Sequence, residues 1–375
     1  MRLMFPKYAL LTVATLLLLA SCNNEVPEPP TAPTPPPVTD PPTPPEEPGE
    51  PEPPAAEGVA ILYDTDFGLD VDDVGALAMI HALADRGEAT LLGVVSNVSD
   101  PYAPAAIDVI NTYYGRPDIP IGLAEGAFYT EAYPYWRDPS PRYIKDLAED
   151  FPHDTSTDPA RIPTAVETYR AVLAAQPDSS VTVVSVGFMQ NMSDLMASGP
   201  DEHSPLGGTA LIRQKVKELV IMGGAHPGST KDLYLTGGRE MNASFAQDVL
   251  TNWPTRTVFN TGEVCGAITN GETLAERTPE SNPVRASYTM FFGREGVGCN
   301  SWDFCSVLYT VRGLAGPEGT YFDTHTGEHL TLSDDGVSSW VAPGNSRHVR
   351  LTRALDKEVM EEMYEDFITT PPAND

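Results

Sequence analysis

Five carboxylates fall within ten residues in DTDFGLDVDD, Asp64 to Asp73, directly after the apolar run VAILY. Like charges held that close raise one another's pKa and repel, so the crowding is tolerable only where water screens it or a cation neutralises it. Calcium suits the second case, because it takes about six to eight hard oxygen ligands from carboxylates, carbonyls and water. Asp66 at a strand end and Asp73 at a helix start can reach a common ion from two sides of one turn. An EF-hand is excluded, since counting from Asp64 puts Gly75 where the bidentate glutamate belongs. Acids in the first turn of a helix favour its dipole whatever else they do. Capping accounts for Asp72 or Asp73 and leaves Asp64, Asp66 and Asp70 without a reason; a solvated capping loop is the alternative to a cation site.

Those residues need elements to hold them. Short β-branched runs alternate with helical patterns: VAILY then VGALAMIHALADRG, ATLLGVVS then APAAIDVINTYYG, VTVVSV then MSDLMAS, then KELVIM and TRTVFN. The alternation predicts parallel βαβ units and an α/β fold, a mostly parallel, Rossmann-like open sheet flanked by helices. After the acidic loop, Val74, Leu77, Ile80 and Leu83 recur at near-helical spacing and Gly87 supplies a stop. Open α/β sheets bind ligands beyond the carboxyl ends of their strands. DTDFGLDVDD, SNVSD, GFMQN and GGAHPG all stand at such ends.

The ends of the chain bound its setting. MRLMFPKYALLTVATLLLLASC has two bases, an apolar run too short to span a membrane, and small residues before Cys22, the plan of a secretory signal. Residues 25–57 hold fifteen of the thirty-seven prolines, eight acids and no base, so residues 23–57 are expected to form an extended, disordered tether reaching about 100 Å at most. Residues 58–375 can bury a large core and carry −24 of the net −30 charge, a field that repels nucleic acid and suits a neutral small molecule or a cation. Cys265, Cys299 and Cys305 allow one bridge in any of three pairings and leave one thiol, with no CxxC pattern. Met189, Met192 and Met196 read as core filling, and His81 as a packing or surface residue of the helix.

LASC, Leu19 to Cys22, resembles the lipobox of bacterial lipoproteins, which implies cleavage after residue 21 and a lipidated Cys22. Acyl chains would then hold a secreted protein at the bacterial cell envelope without a spanning helix. DTD at Asp64 to Asp66 fits the outline of the haloacid-dehalogenase-like phosphatases, but Gly68 stands where that family has Thr or Val, and the later DD goes unused. DTDFGLDVDDVGAL is similar to the signature of the inosine-uridine-preferring nucleoside hydrolases. Four further blocks follow in that family's order: GVVSN, SVGFMQN, ELVIMGGA with REMN, and NSWDFCSVLYTVRG. The resemblance spans nearly everything after the tether.

Carried over residue by residue, the resemblance implies calcium bound by Asp66, Asp73, Asp303 and the backbone carbonyl of Gln190, where the family usually has threonine. Asp72 would hold a ribose hydroxyl, joined by Asn97, Glu240, Asn242 and the Met222 neighbourhood, with Asp70 competing for the role of Asp72. The implied reaction is hydrolysis of a ribonucleoside, or a related N-ribosyl compound, to free base and ribose, with Asp66 taking a proton from water. Trp302 replaces the histidine that many members carry beside the last aspartate; an indole can stack on a base but is no general acid. His226 is one candidate donor in its place, a solvated loop histidine being the alternative reading, and Phe67 replaces a frequent proline. A calcium-dependent nucleoside- or ribose-binding lipoprotein without turnover is the main alternative. Spacing leaves the oligomeric state open, a homo-oligomer included.

Overall fold

The structure is a computed structural model that describes residues 58–126, 143–224, 231–237, 240–345 and 347–373. The signal with Cys22, the tether and His226 lie outside the described residues. No described helix is long and apolar enough to cross a membrane.

Eight strands form the central sheet: β1 Val59–Thr65, β2 Ala89–Ser96, β3 Ile121–Leu123, β4 Val181–Ser185, β5 Val216–Met222, β6 Arg256–Asn260, β7 Phe322–His325 and β8 His348–Arg353. Their spatial order is β7-β8-β6-β5-β4-β1-β2-β3, and every pair is parallel except β7 with β8. A parallel sheet covered on both faces needs strands that are apolar on both sides, and VAILY is such a run. Ile61 and Tyr63 join one hydrophobic cluster while Leu62 between them joins the other.

Ten longer helices cover the sheet: α1 Asp72–Asp85, α2 Ala103–Tyr113, α3 Tyr143–Asp150, α4 Ala165–Ala174, α5 Gln190–Ala197, α6 Gly208–Lys215, α7 Glu240–Asn252, α8 Pro283–Phe292, α9 Trp302–Arg312 and α10 Lys357–Thr369. The first face carries α1, α2, α3, α8, α9 and α10, the second α4 to α7. α1 departs from the amphipathic helix that its spacing predicts: every residue from Asp72 to Leu83 is buried, because α9 and α10 cover the side that would face water. His81 is accordingly a core residue. On the second face a capping box of Thr164 and Glu167 opens α4, and the buried Arg170 within it makes a bidentate pair with the exposed Asp201 at 2.6 and 2.9 Å.

The five strands predicted from sequence are all present, and three more join them. β3 is three residues long and β7 is largely exposed, so neither carries an apolar run to announce it. β1 lies between β2 and β4, where the strand order turns back on itself. Connections leave such a switch point in opposite directions and open a crevice at the carboxyl ends of the strands.

Candidate active site

At the end of β1, Asp64 points inward and is wholly buried. It accepts hydrogen bonds from Asn97 Nδ2 at 2.6 Å, Asn191 Nδ2 at 2.9 Å and the Tyr169 hydroxyl at 2.9 Å. One carboxylate thus ties together the end of β1, the loop after β2, α4 and the start of α5. Burial pushes its pKa up to about 7, against the pull of its three donors. The chain then turns: the Asp66 carbonyl accepts from Leu69 N at 3.1 Å, and Gly68 takes a φ of +114°, a conformation side chains rarely adopt. Asp70 closes the loop, its Oδ1 accepting from Val71 N at 2.7 Å and from the Cys299 thiol at 3.1 Å, its carbonyl from the Tyr143 hydroxyl at 2.6 Å.

The turn brings two carboxyls to a third from α9, with Asp66 alongside. Asp72 and Asp73 in the first turn of α1 and Asp303 in the first turn of α9 are buried, and each offers an oxygen within 4.8 Å of the others. Asp66, half-buried, shares a side-chain hydrogen bond with Asp73 and acts electrostatically on Asp303. The Asp303 N–H donates to Asp72 Oδ2 at 3.3 Å, and the Thr65 hydroxyl makes a short contact with the Asp73 carboxylate. Asp70, Asp72 and Cys299 form a second cluster, also within 4.8 Å, that shares Asp72 with the first.

Burial raises the pKa of Asp66, Asp72, Asp73 and Asp303, and neighbouring carboxylates raise those of Asp66, Asp72 and Asp303 further; Asp73 is pushed up to about 7 by burial, with its Thr65 and Asp66 hydrogen bonds opposing and the Asp70 charge adding. A set of oxygens like this stays ionised near neutral pH only with positive charge among them. Two helix N-termini supply part of it, since α1 and α9 both begin here. A hard divalent cation would supply the rest, and the all-oxygen set Asp66, Asp72, Asp73 and Asp303 fits one.

The other residues singled out in the sequence stand mostly at the carboxyl ends of strands and the starts of helices. Asn97 is fully buried, its amide nitrogen spent on Asp64 and its Oδ1 without a partner among the described residues. Gln190 opens α5, and its side chain reaches the Glu125 carbonyl at 2.8 Å and Asp194 at 3.3 Å. Met222 is the buried last residue of β5, and Asn242 in α7 donates to the Thr236 carbonyl at 2.9 Å. Glu240 begins α7, with its side chain outside the described residues. Trp302 begins α9 half-buried, its carbonyl accepting from Asn260 Nδ2 at 2.7 Å.

Of the three pairings left open, the structure forms Cys265–Cys305 and leaves Cys299 as a buried thiol. Sequence reasoning missed the hub at Asp64 with Asn191 and Tyr169, and it missed Asn260 at the end of β6. Asn191 and Asn260 each carried a positional signal, at or just after the carboxyl end of a strand. Tyr169 carried none, being 105 residues from its partner.

No protein-family model matches this sequence, and no curated protein matches it either. Solved structures do. A plant nucleoside hydrolase is similar over 84% of this chain and 99% of its own, with a TM-score of 0.58 and 14% identity. A purine-preferring ribonucleoside hydrolase from Gardnerella vaginalis gives 83%, 98%, 0.55 and 14%. An inosine-uridine-preferring nucleoside hydrolase from Bacillus anthracis gives 83%, 98%, 0.54 and 14%. The sheet, its switch point and this coverage agree: the described chain has the fold of the nucleoside hydrolases.

Proposed function

We propose that this chain is a calcium-dependent hydrolase that splits the N-glycosidic bond of ribonucleosides, or of a related N-ribosyl compound, into free base and ribose. The observation that supports this reading is the cluster of Asp72, Asp73 and Asp303, with Asp66 bonded to Asp73, at the switch point of a nucleoside hydrolase fold. Asp66, Asp73, Asp303 and the Gln190 carbonyl would hold the ion. When bound, calcium would lower the pKa of a coordinated water and bind ribose hydroxyls.

The chain's own residues do the rest. Asp66, the least buried of the four carboxyls, takes the proton of the attacking water. Asp72 accepts from a ribose hydroxyl, and its position is set by the Asp303 N–H. Asn97, Glu240, Asn242 and the Met222 neighbourhood line the sugar side, Asn97 being held by its bond to Asp64. As positive charge develops on the ribose, fixed carboxylates and side-chain carbonyls stabilise it without reorganising. The half-buried indole of Trp302 stacks on the base.

A secreted protein held at the bacterial cell envelope through Cys22 and the residue 23–57 tether completes the proposal. The strong negative charge of residues 58–375 suits a neutral substrate there.

A panel of inosine, uridine and adenosine, with and without chelator, tests it by release of free base. Asp66→Asn is expected to abolish turnover and weaken calcium binding; full activity in that variant rules out the assigned role. Because Trp302 replaces the histidine that would help the base leave, a nucleoside-binding lipoprotein without turnover is the second reading. It predicts calcium-dependent binding of the same nucleosides with no base released.

A further inference from the structure

The hydrolase reading leaves the departing base without an assigned donor, and Trp302 has no proton to give at neutral pH. Among the described residues, the helical turn that follows β5, Leu233–Thr236, brings one beside Trp302. Asp232 anchors that turn, its Oδ2 accepting from Gly224 N at 2.9 Å and its Oδ1 from Leu235 N at 3.1 Å. Asn242 holds the other end through the Thr236 carbonyl. The turn is therefore tied to the carboxyl end of β5 and to α7, both on the rim of the crevice.

Tyr234 is the residue that this turn presents. Its half-buried ring lies against Gly262, where a Cβ would come within 2.5 Å of both the ring and the hydroxyl oxygen. The bare Gly262 backbone leaves room for the phenol. The ring also meets the Trp302 indole, centroids 6.2 Å apart and planes at 52°. Trp302 directly precedes Asp303, so the aromatic pair stands beside the carboxylate centre. Among the described residues the Tyr234 hydroxyl has no hydrogen-bond partner.

We propose that Tyr234 is the hydrogen-bond donor that meets the departing base, facing it from the rim beside the Trp302 indole. The inference rests on the hydrolase reading and names the ligand more closely: a base with an acceptor, a carbonyl or ring nitrogen, on the edge turned away from the ribose. In the step itself the electron pair of the C1′–N bond moves onto the base. Water adds its hydroxide to C1′ and passes its proton to Asp66, and the base takes its proton from solvent. Tyr234 keeps its own proton and stabilises the charge arriving on the base. Burial, with Glu263, Asp232, Asp72 and Asp70 nearby, pushes the phenol pKa up to about 12, so the O–H is retained.

Tyr234→Phe keeps the ring and removes the hydroxyl. Two kinds of substrate separate a donor from a merely structural ring: inosine or uridine, whose bases leave poorly, and p-nitrophenyl β-D-ribofuranoside, whose phenolate leaves unaided. The expected result is a fall in kcat of about 100-fold on the nucleoside, with the nitrophenyl riboside hydrolysed at an unchanged rate. An equal loss on both substrates, or no loss on either, overturns the assignment of Tyr234. Wild-type protein that leaves both nucleosides intact overturns the hydrolase reading, and this inference with it.

Discussion

Asp64 and His81 show how a single buried polar residue can be functional in appearance and structural in effect. Asp64 belongs to the acidic run, yet it is not part of the carboxylate cluster and serves as a three-donor knot. His81 stacks on Tyr114 at 4.9 Å; its Nε2 donates to Asn111 Oδ1 at 2.8 Å and its Nδ1 faces Arg116 at 3.5 Å. Burial depresses its pKa to about 3, the Asn111 bond opposing and the Arg116 charge adding to the fall. The unfolded histidine binds a proton near pH 6.5 and the folded one does not, so between those values the unfolded state carries more protons. Below about pH 6.5 this residue therefore removes stability at roughly 1.4 kcal/mol per pH unit. In urea titrations between pH 7 and 4.5, His81→Gln is expected to show a flatter loss of unfolding free energy than the wild type. Parallel slopes would show that His81 is not the group responsible.

At the scale of elements, the site depends on how closely α1 and α9 pack, because each contributes its carboxylates from its first turn. Gly75 sits on the contact: a Cβ there would overlap the Phe304 ring and lie 2.5 Å from the Tyr288 hydroxyl oxygen. Phe304 follows Asp303, so pushing the ring away moves a carboxylate of the centre. Alanine is a better helix former than glycine by about 1 kcal/mol, but overpacking a full core costs about 1–3 kcal/mol. Gly75→Ala is expected to lower the urea midpoint and to weaken calcium binding together. A variant as stable as the wild type, binding calcium as tightly, would show that the two helices can part without harm. The Cys265–Cys305 bridge restrains the same region, tying α9 to the turn after β6 across a separation of 40 residues. Asn270 steadies the approach to α9, donating to the Cys299 carbonyl at 3.2 Å and the Ser301 hydroxyl at 2.8 Å.

For the whole molecule, a centre of mutually repelling buried carboxyls works against folding unless an ion is present. A ligand that binds only the folded state adds about 2.7 kcal/mol at a hundred times its Kd. In a domain of this size that corresponds to a rise in Tm of about 4 °C. Calcium is accordingly expected to raise the thermal midpoint of the purified protein and EDTA to reverse the gain, as followed by differential scanning calorimetry. A midpoint indifferent to both would remove calcium from the proposed mechanism, whatever the activity assays show.

Several features were legible in the linear order of residues because they are local. The run DTDFGLDVDD follows its strand by direct chain connection, and the alternation of β-branched and helical segments reflects short-range preferences, so the α/β class and five strands could be read. Short or exposed strands such as Ile121–Leu123 and Phe322–His325 left no such mark. What only the tertiary structure decided is which distant residues meet: Asp303 with Asp72 across 231 positions, Tyr169 with Asp64, Cys265 with Cys305, and Tyr234 with Trp302. Local propensity shapes each strand and helix, but the order in which strands join the sheet determines which loop ends face one another. That order is set by long-range burial of both sheet faces, which neighbouring residues in the chain do not encode.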